Sequence, residues 1–184
     1  SAAVAYKRSG KDEELCGDGI LLSAQNENLS DGLLFCNLPD GIWRVFFLIE
    51  TRRTPQDFRE HIDLLNPASC ALQIEAVYAP QYAHLKEYFG NTFAGFFSDE
   101  PSFGNDSGSY DSILGKKDML LPWSDALLPL LSKKMNLPQN ETKCLLPLLW
   151  AEHPENKHFI RYAYMDTVSE LYRQNFSLLL GNWC

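Results

Sequence analysis

The chain has 184 residues, of which 45% are hydrophobic and 22% charged, and it carries a formal net charge of -8. An acidic field of that size disfavours nucleic acid and anionic membrane surfaces as partners, and no run of about 18 apolar residues offers a bilayer span. Five cysteines (Cys16, Cys36, Cys70, Cys144 and Cys184) include no CxxC pair and cannot all close into internal disulfides, so reduced thiols are expected.

In chain order, Ala2 to Lys7 reads as a short strand that ends in the polar turn Arg8-Ser9-Gly10-Lys11. Two brief apolar runs follow, Gly19-Ile20-Leu21-Leu22 and Leu33-Leu34-Phe35-Cys36. The turn formers around them suggest an inserted β-hairpin within residues 12–42. Residues 43–50 form the next strand. Its unbroken apolar stretch from Val45 to Ile49 is the pattern of a strand covered on both faces, as in a parallel sheet. Asn66-Pro67 then pairs a helix-capping side chain with proline at the first helical position.

Ala71, Ile74, Tyr78, Tyr82, Leu85 and Phe89 continue that helix as one apolar stripe, bent at Pro80 and stopped at Gly90-Asn91. Residues 92–98 read as a second buried strand, ending at Asp99-Glu100-Pro101. Strand, helix and strand make a βαβ unit with parallel neighbours. Residues 102–121 are then a long polar loop, and residues 123–135 a short helix. Residues 144–156 are broken by Pro147 and Pro154 and stay unassigned, and a long amphipathic helix runs from Phe159 to the chain end. The expected fold is therefore α/β, with residues 1–184 as a single domain. It would hold three strands (2–7, 43–50 and 92–98) of a partial (β/α)8 barrel, a complete barrel needing about 250 residues. A smaller open α/β sheet is the alternative.

In parallel architectures chemistry gathers at the carboxyl ends of strands. Glu50 and the pair Asp99-Glu100 hold such positions. A glutamate flanked by aromatics is partly desolvated and suited to general acid work; capping the next loop is the plain alternative for the pair. Trp123 offers its ring face to a sugar or anchors the adjoining helix. Asp63 reaches the pocket or helps start the helix at Asn66, and Arg52, beside Arg53, binds substrate or pairs with Glu50. His61, His84, His153 and His158 lack metal-ligand spacing and read as surface or helix residues, and no metal site is expected from them. Neither a P-loop nor a GxSxG or GxGxxG turn is present. Four Asn-x-Ser/Thr sequons begin at Asn28, Asn105, Asn140 and Asn175. They carry meaning only in a secretory eukaryote, and residues 1–6 hold no signal-peptide pattern.

The string from Tyr88 through Gly95-Phe96-Phe97-Ser98-Asp99-Glu100-Pro101 resembles a region of the α-L-rhamnosidase-like glycoside hydrolases (family 106-like). Pro39-Asp40-Gly41-Ile42-Trp43-Arg44 is similar to that group's entry into a barrel strand, and Asp63-Leu64-Leu65-Asn66-Pro67 to the turn before its next helix. Leu121-Pro122-Trp123 and the run from Arg161 to Ser169 fit the same order, so the likeness covers most of residues 39–184. It implies a fragment of a catalytic barrel that cleaves a glycosidic bond in carbohydrate or polysaccharide breakdown, with Glu100 as general acid and Asp99 orienting it or binding a sugar hydroxyl. It further implies a second carboxylate beyond this chain, for which Glu50 is the nearest substitute, and calcium near the sugar. A non-catalytic carbohydrate-binding or interaction module is the rival reading. An incomplete barrel would expose strand edges and self-associate. The compartment stays open: secreted, periplasmic and cytoplasmic all fit.

Overall fold

Strand β1 (Ala2–Arg8) is the centre of a sheet, with β2 (Leu15–Leu21) on one side and β5 (Trp43–Leu48) on the other. The computed structural model describes residues 2–9, 14–22, 29–30, 33–52, 62–99, 101–103, 114 and 119–184. Both pairings of β1 are antiparallel, so that Val4 faces Leu21 on one side and Phe46 on the other. β3 (Leu29–Ser30) and β4 (Leu33–Leu34) form a separate two-stranded ladder.

This overturns the parallel barrel. The strands predicted at the start of the chain and at residue 43 exist, but they run in opposite directions. Residues 92–98, the third expected strand, form no strand; a single bridge between Phe89 and Phe93 is all the pairing there. The physical reason lies in what the aromatic side chains prefer. Phe93 and Phe96 join Phe89 and Tyr78 in a chain of ring contacts 4.9–6.0 Å apart that also reaches Trp183. Packing among helices takes the apolar surface that a sheet would otherwise bury, while Phe97 is left 86% exposed. With no strand at 92–98 there is no βαβ unit. The open parallel sheet, with 43–50 beside 92–98, fails for the same reason.

Two smaller expectations also change. The apolar run of β5 is not covered on both faces: Phe46 and Leu48 turn toward the core, whereas Val45, Phe47 and Ile49 are exposed. Nor does the inserted hairpin pair its two predicted arms. β2 takes up one of them and pairs with β1, leaving Leu33–Leu34 to meet Leu29–Ser30. A bulge interrupts the β1–β2 ladder between Ala5 and Lys7. Gly17 opposes it in the left-handed region (φ 69°), and Gly19 lies so close to the Tyr6 ring that a Cβ there would stand 2.7 Å from it.

The helices follow from caps and stripes. Asn66 caps α1 (Pro67–Gln73) by accepting the Ala68 N–H at 3.0 Å, as its sequence position predicts. Pro80 does not simply bend the helix. A π turn (Ile74–Tyr78) precedes it and carries the chain into α2 (Ala79–Leu85), the Ala79 N–H reaching back to the Ile74 carbonyl. Beyond these, α3 (Leu127–Met135) ends on left-handed Asn136. α4 (Gln139–Leu145) continues into a 3-10 turn (Leu146–Leu149), and α5 (Lys157–Tyr172) runs through a second π turn (Arg173–Ser177) into α6 (Leu178–Trp183).

One face of the sheet, with Val4, Tyr6, Phe46 and Leu48, packs on α3, the 3-10 turn and α5 to make the main core. Among the described residues the opposite face has Ala3, Ala5 and Leu22 buried, under Ile20, Leu34, Leu38 and Trp43. The unassigned stretch 144–156 is thus among the most buried parts of the chain, with Leu148 and Leu149 at the centre. His153 departs from the surface role expected of it, being 2% exposed. Its Nδ1 accepts the N–H groups of Glu155 and Asn156, which leaves Nε2 as the donor to the Gly17 carbonyl at 3.0 Å. His84 and His158 are exposed as expected, and His61 lies outside the described residues.

A candidate site on two turns

Two turns, residues 62–66 before α1 and residues 121–126 before α3, are held by the same long helix. Tyr164 on α5, itself buried, donates its hydroxyl to the Pro122 carbonyl at 2.6 Å. Asn175, in the π turn that extends α5, donates from Nδ2 to the Leu65 carbonyl, also at 2.6 Å. Phe176 next to it is buried against Leu64 and Cys70. One rigid element thereby sets the placement of both turns.

The first turn carries Asp63. Its Oδ1 accepts the Leu65 N–H at 3.0 Å, its own N–H donates to Ser69 Oγ at 3.0 Å, and its carbonyl accepts from Asn66. Half-burial pushes the carboxyl above the usual aspartate range, the Leu65 N–H pulls it back, and the negative charge of Asp125 pushes it up again. Cys70 lies under the same turn, and burial first, then Asp63, raises its thiol and makes it a poor nucleophile.

The second turn carries Trp123, Ser124 and Asp125. Trp123 is half-buried and packs on the main core; Asp125 is exposed. Ser124 is 6% exposed, and its Oγ has no hydrogen-bond partner among the described residues. A buried hydroxyl left without a partner costs about 1–3 kcal/mol, a cost a bound polar group would relieve.

Of the residues singled out by sequence, the fold therefore unites Asp63 and Trp123 on turns that share one support. Glu50, Arg52 and Asp99 are exposed, and no ion pair joins Glu50 to Arg52 among the described residues. Arg53 and Glu100 lie outside the described residues, as do the sequons at Asn28 and Asn105. The strand end that was to present Asp99-Glu100 does not form. Sequence reasoning missed Ser124 and Asp125, although a serine and an aspartate ahead of an apolar stripe are a helix-start signal. It also missed Tyr164 and Asn175, whose partners are 42 and 110 residues away.

Among the described residues no group of three or more His, Cys, Asp or Glu side chains could hold a metal ion. The calcium implied by resemblance would need six to eight oxygens, a set the described residues do not assemble. No described helix is long and apolar enough to cross a membrane. No protein-family model matches the chain, and neither a curated protein nor a solved structure does.

Proposed function

We propose that the chain belongs to a glycoside hydrolase that receives a sugar at the two turns, with Glu100 as general acid and α-L-rhamnosides as the first substrate class. The observation that carries the sugar-binding part is that a half-buried carboxyl, a buried hydroxyl without a partner among the described residues and an indole lie on two turns tied to one helix, near enough for Asp125 to act on Asp63. A pyranose presents hydroxyls and an apolar C–H face together. Asp63 and Ser124 suit the hydroxyls, and the ring of Trp123 suits the face.

The catalytic part is supported by the ordered resemblance over residues 39–184, in which Asp99-Glu100-Pro101 is the acidic motif. Glu100 would give its proton to the glycosidic oxygen as the carbon–oxygen bond breaks, and a second carboxylate would serve as base or nucleophile. Asp99, Glu50 and Arg52 are exposed and take only outer contacts with substrate in this scheme.

The test is turnover of aryl glycosides, beginning with the α-L-rhamnoside, by the parent chain and by Glu100→Gln and Asp63→Asn. Loss of the acid is expected to cut kcat by about 10²–10⁴-fold, and Asp63→Asn to raise KM with a smaller change in kcat. Turnover untouched by Glu100→Gln removes that residue from the mechanism. Saccharide binding without turnover by any form favours the non-catalytic module, a reading suited to a site whose described groups are all binding groups. Absence of both sinks the sugar assignment.

A further inference from the structure

We infer that Asn175 is a positioning residue for the Asp63 carboxyl, and that the π turn at Arg173–Ser177 serves to deliver it. The inference rests on the reading of Asp63 as a sugar contact. Leu65 is fully buried and held at both of its main-chain polar groups: its N–H donates to Asp63 Oδ1 at 3.0 Å, and its carbonyl accepts from Asn175 Nδ2 at 2.6 Å. Whatever orients the carbonyl of Leu65 also restrains the residue that holds the carboxyl.

The π turn sets the direction of both side chains. Successive side chains on an ordinary α-helix diverge by about 100°. A π turn carries one more residue per turn and narrows the angle between successive side chains. Asn175 can then reach the Leu65 carbonyl while Phe176 stays buried against Leu64 and Cys70. The amide is committed inward, so the sequon Asn175-Phe176-Ser177 does not offer a free glycosylation acceptor.

A merely structural asparagine would change stability and nothing else, so the experiment reads Asp63 itself. The carboxyl carbon of Asp63 is titrated by NMR in the parent and in Asn175→Ala. The titratable groups beside it are Asp125, whose charge raises it, and Cys70, whose thiol senses it. In Asn175→Ala the Leu65 N–H is expected to slacken on the carboxyl, so the Asp63 midpoint moves further above the ordinary aspartate value. On the aryl glycoside, KM is expected to rise about tenfold with kcat within about twofold. A folded variant whose Asp63 midpoint matches the parent overturns the inference. Should Asn175→Ala not fold, the parent alone decides: the Asn175 side-chain amide resonance should shift with the Asp63 midpoint, and an amide blind to that titration overturns it too. Because the titration needs no substrate, a parent without turnover would count against the proposed function and leave this inference standing on its own readout.

Discussion

At the scale of single residues, Asp63 makes a pH-dependent demand on stability. Burial holds its carboxyl above the ordinary aspartate value of 3.8, although the Leu65 N–H favours the ionised form; Asp125 adds to the rise. In the window between the unfolded value and the raised folded one, the native state keeps a proton that the unfolded chain has lost. The stability contributed by this group is therefore complete below the unfolded value and declines as pH rises through the folded one. Asp63→Asn removes the charge yet keeps an oxygen for the Leu65 N–H. Calorimetry should show the variant melting above the parent at about pH 7, with the difference vanishing near pH 3. A variant that melts lower at pH 7 would mean that the fold stabilises the ionised carboxylate and that burial does not dominate. Local signals made part of this legible: the Asn66 cap and the position of Asp63 follow from neighbours within a few residues. The unpartnered Ser124 hydroxyl and the buried His153 depend on segments far along the chain, and no local pattern announces them.

At the scale of elements, the sequence located most helices and the β5 strand but misjudged what they meet. Apolar runs report burial, not the direction of the neighbouring strand, so Val45 to Ile49 fitted a parallel sheet until Phe47 and Ile49 were found exposed. Residues 92–98 carry strand-like aromatics, yet those rings close against Tyr78 of the first π turn, Phe89 and Trp183 of α6. The stretch with two prolines, left unassigned, is instead ordered by Arg161. Its Nε donates to the Leu148 carbonyl and its Nη2 to the Ala151 carbonyl, both at 2.9 Å, with Glu152 also within 3.2 Å. This fork ties the 3-10 turn to α5. Lysine keeps the charge but cannot donate in two directions from one plane. Arg161→Lys is expected to cost about 1–3 kcal/mol, a fall in Tm of roughly 3–10 °C for a chain of this size, with the saccharide site unmoved. A Tm within about 1 °C of the parent would show that the fork contributes nothing net.

At the scale of the molecule, the unresolved tension is between charge and exposed apolar surface. The sequence-level expectation of self-association rested on an incomplete barrel, and that premise fails with the parallel sheet. A different feature carries the same expectation. Among the described residues β5 is an edge strand of its sheet, and Val45 and Phe47 on it and Ile49 just after it stand 37%, 66% and 75% exposed. Such a row is an apolar face suited to contact with a second copy. Two copies brought together this way each carry a net charge of -8, so repulsion should oppose the apolar contact and salt should relieve it. Sedimentation velocity is therefore expected to show association that grows with protein concentration and strengthens as salt rises from about 0.05 to 0.5 M. Phe47→Lys places a charge in the middle of the row, and should shift the dissociation midpoint at least about tenfold toward the monomer without lowering Tm, since the side chain it replaces is mostly in water. Association that weakens with salt would assign the contact to ion pairs elsewhere on the surface. A monomer at every concentration would mean that the β5 row is too short or too twisted to pair.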